Sequence, residues 1–182
     1  MSDDTWLVAI DLQHVFGDPD SPWGAPRFAD AVTGTLALAA GFAGRTVLTR
    51  FVAPTEPAGA WVPYYADWPF ARVPSGDPLY ALVPGVAALE APVVTATTFG
   101  KWGAELAAAT QGAGTLVLTG VSTDCCVLST ALAAADAGIA VRVVTDACAG
   151  ASDLDHQRAL DAMALYAPLI TLTSVAEVLA AR

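Results

Sequence analysis

The chain is short of positive charge. Its 182 residues hold eight Lys and Arg against eighteen Asp and Glu, a formal net charge of −10. That balance opposes binding to nucleic acid or to an anionic membrane surface. Histidine is scarcer still. His14 and His156 are the only two, too few and too far apart to imply a metal site, so neither metal nor cofactor is expected. Cysteine is limited to Cys125, Cys126 and Cys148. Two adjacent thiols and a third do not make a disulfide framework, and a reducing cytoplasm is the expected compartment. No apolar run is long enough to span a bilayer; residues 31–44 read as an amphipathic helix. The acidic opening, Met1-Ser2-Asp3-Asp4, does not read as a signal peptide. Lysine occurs once, at Lys101. A chain that otherwise uses Arg can keep one Lys for a task Arg cannot do, since Lys is a compact point charge whose pKa can fall.

Hydrophobic residues make up 55% of the chain, which suits a sheet buried on both faces. The length fits one domain, 1–182, with a sizeable core. Such apolar content also suggests surface covered by another subunit, a dimer or tetramer.

The chain is organised around residues 115–150. An apolar run at 115–119 fits a buried strand, and Gly120-Val121-Ser122-Thr123-Asp124 forms a tight connection. Cys125 and Cys126 open an Ala-rich helix that Gly138 ends as a C′ glycine. A second buried strand covers 139–145 and ends on Asp146. This β-α-β unit requires parallel strands. Thr123 or Asp124 is placed to cap the helix, leaving Cys126 in its first turn. Free N–H groups and the positive dipole end there favour a thiolate. Most free cysteines are small core residues, and that reading stays open for both.

Earlier in the chain, Trp6-Leu7-Val8-Ala9-Ile10 reads as a strand ending on Asp11, with Leu12-Gln13-His14 following. An acid at the carboxyl end of a central parallel strand lies where ligands gather. A Pro- and Gly-rich loop follows at 18–26, then a crossover helix at 28–42 and a strand at 45–52. Residues 54–84 lack a regular pattern but carry Trp61, Tyr64, Tyr65, Trp68, Phe70 and Tyr80. So long an aromatic segment is either a lid over a site or an arm on a neighbouring subunit. Arg72 within it reads as a solvated Arg, with a substrate carboxylate as the alternative. A strand at 91–97 leads through Thr98-Phe99-Gly100-Lys101-Trp102-Gly103 into a helix at 104–110. A helix at 153–166 with Asp153 as its cap, a strand at 169–172 and a helix at 174–181, capped by Thr173 or Ser174, complete the chain. Strands alternating with helices give a three-layer α/β/α sandwich around a mostly parallel sheet of five or six strands.

The run Gly120-Val121-Ser122-Thr123-Asp124-Cys125-Cys126-Val127, with Thr130-Ala131, Ala134, Gly138 and Asp146-Ala147-Cys148, resembles the signature of the isochorismatase-like cysteine hydrolases. That family includes nicotinamidases, carbamoyl and ureide hydrolases, and isochorismatases. The resemblance covers nearly the whole chain. It implies that Cys126, directly before Val127, is the nucleophile and that Asp11 is the general base. It implies a cis peptide between Val121 and Ser122, with the N–H groups of Ser122 and Cys126 as the oxyanion hole. It also implies a catalytic Lys near 95–101. Thr95 stands at the usual strand-end place and Lys101 at a usual aromatic place, so Lys101 either reaches the site from the other side or the site lacks its Lys. The metal-binding Asp-x-His cluster of nicotinamidases has no counterpart at Thr49-Arg50-Phe51-Val52-Ala53-Pro54. Relatives carry Asn at His14 and often His at His156; both are read as structural. Phe16, Trp61, Tyr64, Trp68 and Trp102 are the candidate pocket residues. The implied activity is cleavage of a C–N bond in a small linear amide, ureide or carbamoyl compound through a thioester. The alternatives are vinyl ether hydrolysis of the isochorismatase type, and a binding or assembly role without turnover.

Overall fold

The computed structural model describes residues 4–181. Six parallel strands form one sheet: β1 (Thr5–Ile10), β2 (Thr46–Phe51), β3 (Val93–Ala96), β4 (Thr115–Val121), β5 (Ala140–Ala149) and β6 (Ile170–Thr173). Among the described residues, eight α-helices connect or flank them: α1 (His14–Gly17), α2 (Phe28–Ala39), α3 (Trp61–Asp67), α4 (Pro84–Ala87), α5 (Ala104–Ala109), α6 (Leu128–Asp136), α7 (Asp153–Ala164) and α8 (Val175–Ala180). None of the described helices is long and apolar enough to cross a membrane.

The strand order is β3-β2-β1-β4-β5-β6. The chain builds outward from β1 to β3, then returns to β4 on the other side of β1. This reversal makes the carboxyl ends of β1 and β4 the switch point, where ligands bind in open α/β sheets.

Both sheet faces are covered, and the strand pattern shows why. Along β1, Trp6, Val8 and Ile10 enter one core with Val127, Ala131, Ala134 and Met163, from the segment opening α6, from α6 itself and from α7. Leu7 points to the opposite face, against Leu38 of α2, Phe42 just after it and Val178 of α8. A strand buried on both faces reads as a continuous apolar run, not an alternating one. Between the Leu118–Val143 and Gly120–Cys148 pairs the register shifts. Asp146 lies in that irregular stretch and accepts the Val175 N–H at 2.8 Å, so it anchors the start of α8 rather than a strand end.

Some helix ends differ from the sequence expectation. Ser152, not Asp153, caps α7 by accepting from the Asp155 N–H. Ser174 caps α8 in a reciprocal capping box with Glu177. Neither Thr123 nor Asp124 caps α6. Instead 123–127 forms a π-turn with no side-chain cap, so Cys126 sits in a widened turn ahead of α6. Residues 54–84 are not patternless: they hold α3 and two 3₁₀ turns, and they pack on their own chain, burying Tyr65 and Tyr80. The Tyr80 hydroxyl donates to the Ala71 carbonyl across this segment.

Candidate active site

Asp11 follows β1 directly and is completely buried. Its φ of +49° is the left-handed conformation that Asp tolerates better than most residues. The turn is held by Thr49 of β2. The Thr49 hydroxyl accepts the Asp11 N–H at 3.1 Å and donates to Asp11 Oδ1 at 2.6 Å. One hydroxyl thus fixes both the backbone and the carboxylate.

The other carboxylate oxygen, Oδ2, meets Lys101 Nζ at 2.9 Å, with both side chains fully buried. This is an ion contact without an aligned hydrogen bond, so Oδ2 has no hydrogen-bond donor of its own. The ammonium instead donates to the Thr98 carbonyl at 2.6 Å and lies 5.1 Å from the centre of the Phe51 ring. Lys101 therefore enters from the loop after β3, not from the strand end where Thr95 stands. The loop is tied down by Thr130 of α6. Its hydroxyl accepts the Lys101 N–H at 2.9 Å and donates to the Cys126 carbonyl at 2.6 Å. Thr130 links the lysine loop to the turn that carries the thiol.

Cys126 is buried beside this pair. Its pKa is held well above the usual thiol range. Burial is the main cause and the Asp11 charge the second, while Lys101 pulls the other way. Burial and the Asp11 charge thus favour the thiol over the thiolate. The expectation of a thiolate favoured by the helix start is corrected here, because desolvation and the neighbouring carboxylate outweigh the ends of peptide dipoles. Cys125 is half-buried and its pKa is pushed up to about 11, by burial and then by Asp124. Its thiol points at Asp124 Oδ2 across 3.6 Å. Cys148 is a buried core residue behind Gly120, its pKa raised by burial. The three thiols are free.

The peptide bond between Val121 and Ser122 is cis. Just before it, Gly120 has a φ of +107°, and a Cβ there would fall 2.0 Å from the Ile10 carbonyl oxygen. Only glycine lets β4 approach β1 this closely at the switch point. Behind the π-turn, the Thr123 hydroxyl and His156 Nδ1 are hydrogen-bonded at 2.8 Å. Burial, then the Arg27 charge, lowers the His156 pKa, and the ring holds the turn against α7. His14 is exposed at the start of α1.

A pocket of about 420 Å³ opens onto Cys126, within the roughly 300–1,000 Å³ range of small-ligand sites. Ser122, Asp124, Cys125 and Cys126 form its polar floor. Phe16, Tyr64 and Trp68 line its wall as the sequence suggested, joined by Trp23, Phe51 and Phe99, which it did not. Trp61 and Trp102 are not part of the lining. Trp61 stacks on Tyr65 behind the wall, and Trp102 packs against the core under α6. Arg72 is exposed and reaches only the Thr55 carbonyl. Gln13, which follows Asp11 in the motif, is the clamp for the wall. Its amide donates to the Phe51 and Tyr80 carbonyls at 2.9 and 2.8 Å and accepts the Phe51 N–H at 2.8 Å.

A family model of the isochorismatase domain matches residues 5–175. No curated protein matches the chain. Solved structures with this fold include a cysteine hydrolase from Pseudomonas syringae pv. phaseolicola 1448A, 19% identical, with a TM-score of 0.83 over 97% of this chain and 91% of that one. An isochorismatase family protein from Desulfovibrio vulgaris is 21% identical, with a TM-score of 0.81 over 98% and 99% of the two chains. A nicotinamidase from Bacillus subtilis is 16% identical, with a TM-score of 0.75 over 94% and 99%. At these identities the likeness is one of fold. The family match spans nearly the whole described chain, β1 to the start of α8, and takes in the Asp11 turn, the Lys101 loop and the Cys126 turn. The chain belongs to the isochorismatase family.

Proposed function

We propose that the protein is a cysteine hydrolase that cleaves a C–N bond of a small amide, ureide or carbamoyl compound through a thioester on Cys126. The observation that carries this reading is the buried Asp11–Lys101 pair set against the Cys126 thiol at the floor of an open pocket.

The resting thiol is protonated, so its proton passes to Asp11 as sulfur attacks the carbonyl carbon. Oδ2, which lacks a hydrogen-bond donor, has the lone pair to take it. Lys101 then balances the charge on sulfur and holds the acid in place. The carbonyl oxygen becomes an oxyanion, received by the N–H groups of Ser122 and Cys126. Collapse of the tetrahedral species breaks the C–N bond, and Asp11 returns its proton to the departing ammonia or amine. Water enters, loses a proton to Asp11 and attacks the thioester. The acid leaves and the proton returns to sulfur. The sum is amide plus water to acid plus amine.

The test is ammonia release from a panel of small amides and ureides, in the wild type and in Cys126→Ala. Release by the wild type that Cys126→Ala abolishes supports the proposal. Release that persists in Cys126→Ala overturns it.

A further inference from the structure

The wall of the pocket has a composition that the proposed chemistry does not require. Six of its lining residues are aromatic, and none is Lys, Arg or His. Trp23 is the hub: it stacks on Phe16 at 6.1 Å and meets Tyr64 and Trp68 at 6.1 Å each and Phe51 at 5.7 Å. Such a surface offers flat apolar faces and few polar partners.

The nearest ammonium, Lys101, is fully buried, and it is committed to Asp11 and to the Thr98 carbonyl. The one charged group in the lining is Asp124. Its carboxylate is fixed in place, accepting the Ala151 N–H at 2.9 Å through Oδ1 and facing the Cys125 thiol through Oδ2. The Cys125 thiol stays protonated beside it. Asp124 therefore presents its carboxylate to the same space that the substrate enters. A carboxylate there would lose its water, find no cation and face a like charge. A neutral ring would lose little and gain aromatic contact.

We infer that this pocket selects its substrate by charge: the acyl group of the amide is uncharged and apolar, a flat aromatic ring by preference, and carboxylate-bearing amides are refused. Trp23 and Trp68 supply the ring contacts and Asp124 the refusal. This deepens the proposed function and rests on it, since it describes what the same floor would act upon. It also separates the two enzyme readings, because isochorismate is a dicarboxylate.

The test reads binding apart from turnover. Benzamide and 4-carbamoylbenzoate differ by one carboxylate. Each is titrated into the protein, and binding is followed by tryptophan fluorescence and by protection of Cys126 from iodoacetamide. Benzamide is expected to bind at least about tenfold more tightly, since refusing a charge gives strong discrimination. Trp23→Ala is expected to weaken benzamide by about tenfold. Should Trp23→Ala not fold, Trp68→Arg places a cation in the wall and is expected to bring 4-carbamoylbenzoate to the level of benzamide or beyond.

Equal or tighter binding of 4-carbamoylbenzoate by the wild type overturns the inference, and so does failure of benzamide to bind. An unchanged preference in Trp68→Arg overturns it as well. Binding of benzamide as expected without ammonia release leaves the selectivity standing and refutes the hydrolysis, so the two failures are told apart.

Discussion

Replacing Lys101 by Met tests the buried pair most severely. Both side chains of the Asp11–Lys101 pair are fully buried, so solvent screening does not soften their separation. Taking away one partner of such a pair leaves a bare charge in the interior, at a cost of about 3–5 kcal/mol. For a chain of this size each kcal/mol moves Tm by about 2–4 °C, so Lys101→Met is expected to lower Tm by about 6–20 °C. Asp11→Asn is expected to destabilise through the stranded ammonium by a similar amount. The double variant removes both charges, and neutral replacement of a whole pair costs little. Its stability is expected to lie within about 2 kcal/mol of wild type, far above the sum of the single losses. Urea unfolding followed by circular dichroism gives all four corners of the cycle. Activity should not follow stability: the double variant is expected to stay at least about a hundredfold down, because both proton acceptor and cation are gone. Additive losses in the double variant would refute the reasoning, as would a single variant as stable as wild type.

Four further outcomes follow from the same geometry. Iodoacetamide should alkylate Cys126 slowly until alkaline pH; Asp11→Asn should move the onset to lower pH and Lys101→Met to higher pH, since the first charge raises the thiol pKa and the second lowers it. The opposite order, read by peptide mass spectrometry, would contradict that assignment. Thr49→Val removes the hydroxyl that fixes Asp11 Oδ1 and the Asp11 N–H; about 1–3 kcal/mol of positioning is lost, a fall in kcat/KM of about 5- to 150-fold. Gly120→Ala would place a Cβ 2.0 Å from the Ile10 carbonyl oxygen and is expected to cost more than about 3 kcal/mol. At Gly138, φ is +86° but nothing lies within 4 Å of the added Cβ, so Gly138→Ala is expected to cost about 1 kcal/mol by thermal melts.

The sheet and its switch point were legible because β1 and β4 are short apolar runs followed at once by the polar residues Asp11 and Ser122, and such runs report burial on both faces directly. Lys101 was legible as the one lysine of the chain. Its route to Asp11 was not, because the path of a loop depends on long-range ties such as the Lys101 N–H to the Thr130 hydroxyl, which spacing along the chain does not encode. The aromatic wall was half legible. Tyr64 and Trp68 stood out in an aromatic segment, whereas Trp23 lay in a Pro- and Gly-rich loop and Phe51 looked like core. Phe51 carried a usable signal: it lies two residues after Thr49 on β2, so both point to the same face. Trp61 misled because it shares α3 with Tyr64, yet it stacks on Tyr65 instead. The thiol pKa was misjudged for a physical reason. Dipoles at a helix start can be read from sequence, but the depth of burial that overrides them cannot.

The proposed hydrolysis turns on a covalent bond to Cys126. The protein is mixed with benzamide, quenched in acid during turnover and digested, and the three cysteine peptides are weighed. A benzoyl adduct on the Cys126 peptide alone, absent in Cys126→Ala and lost as benzoate forms, is the predicted result. Benzoate formed with no adduct at Cys126, or an adduct on Cys125 or Cys148 instead, would contradict the account.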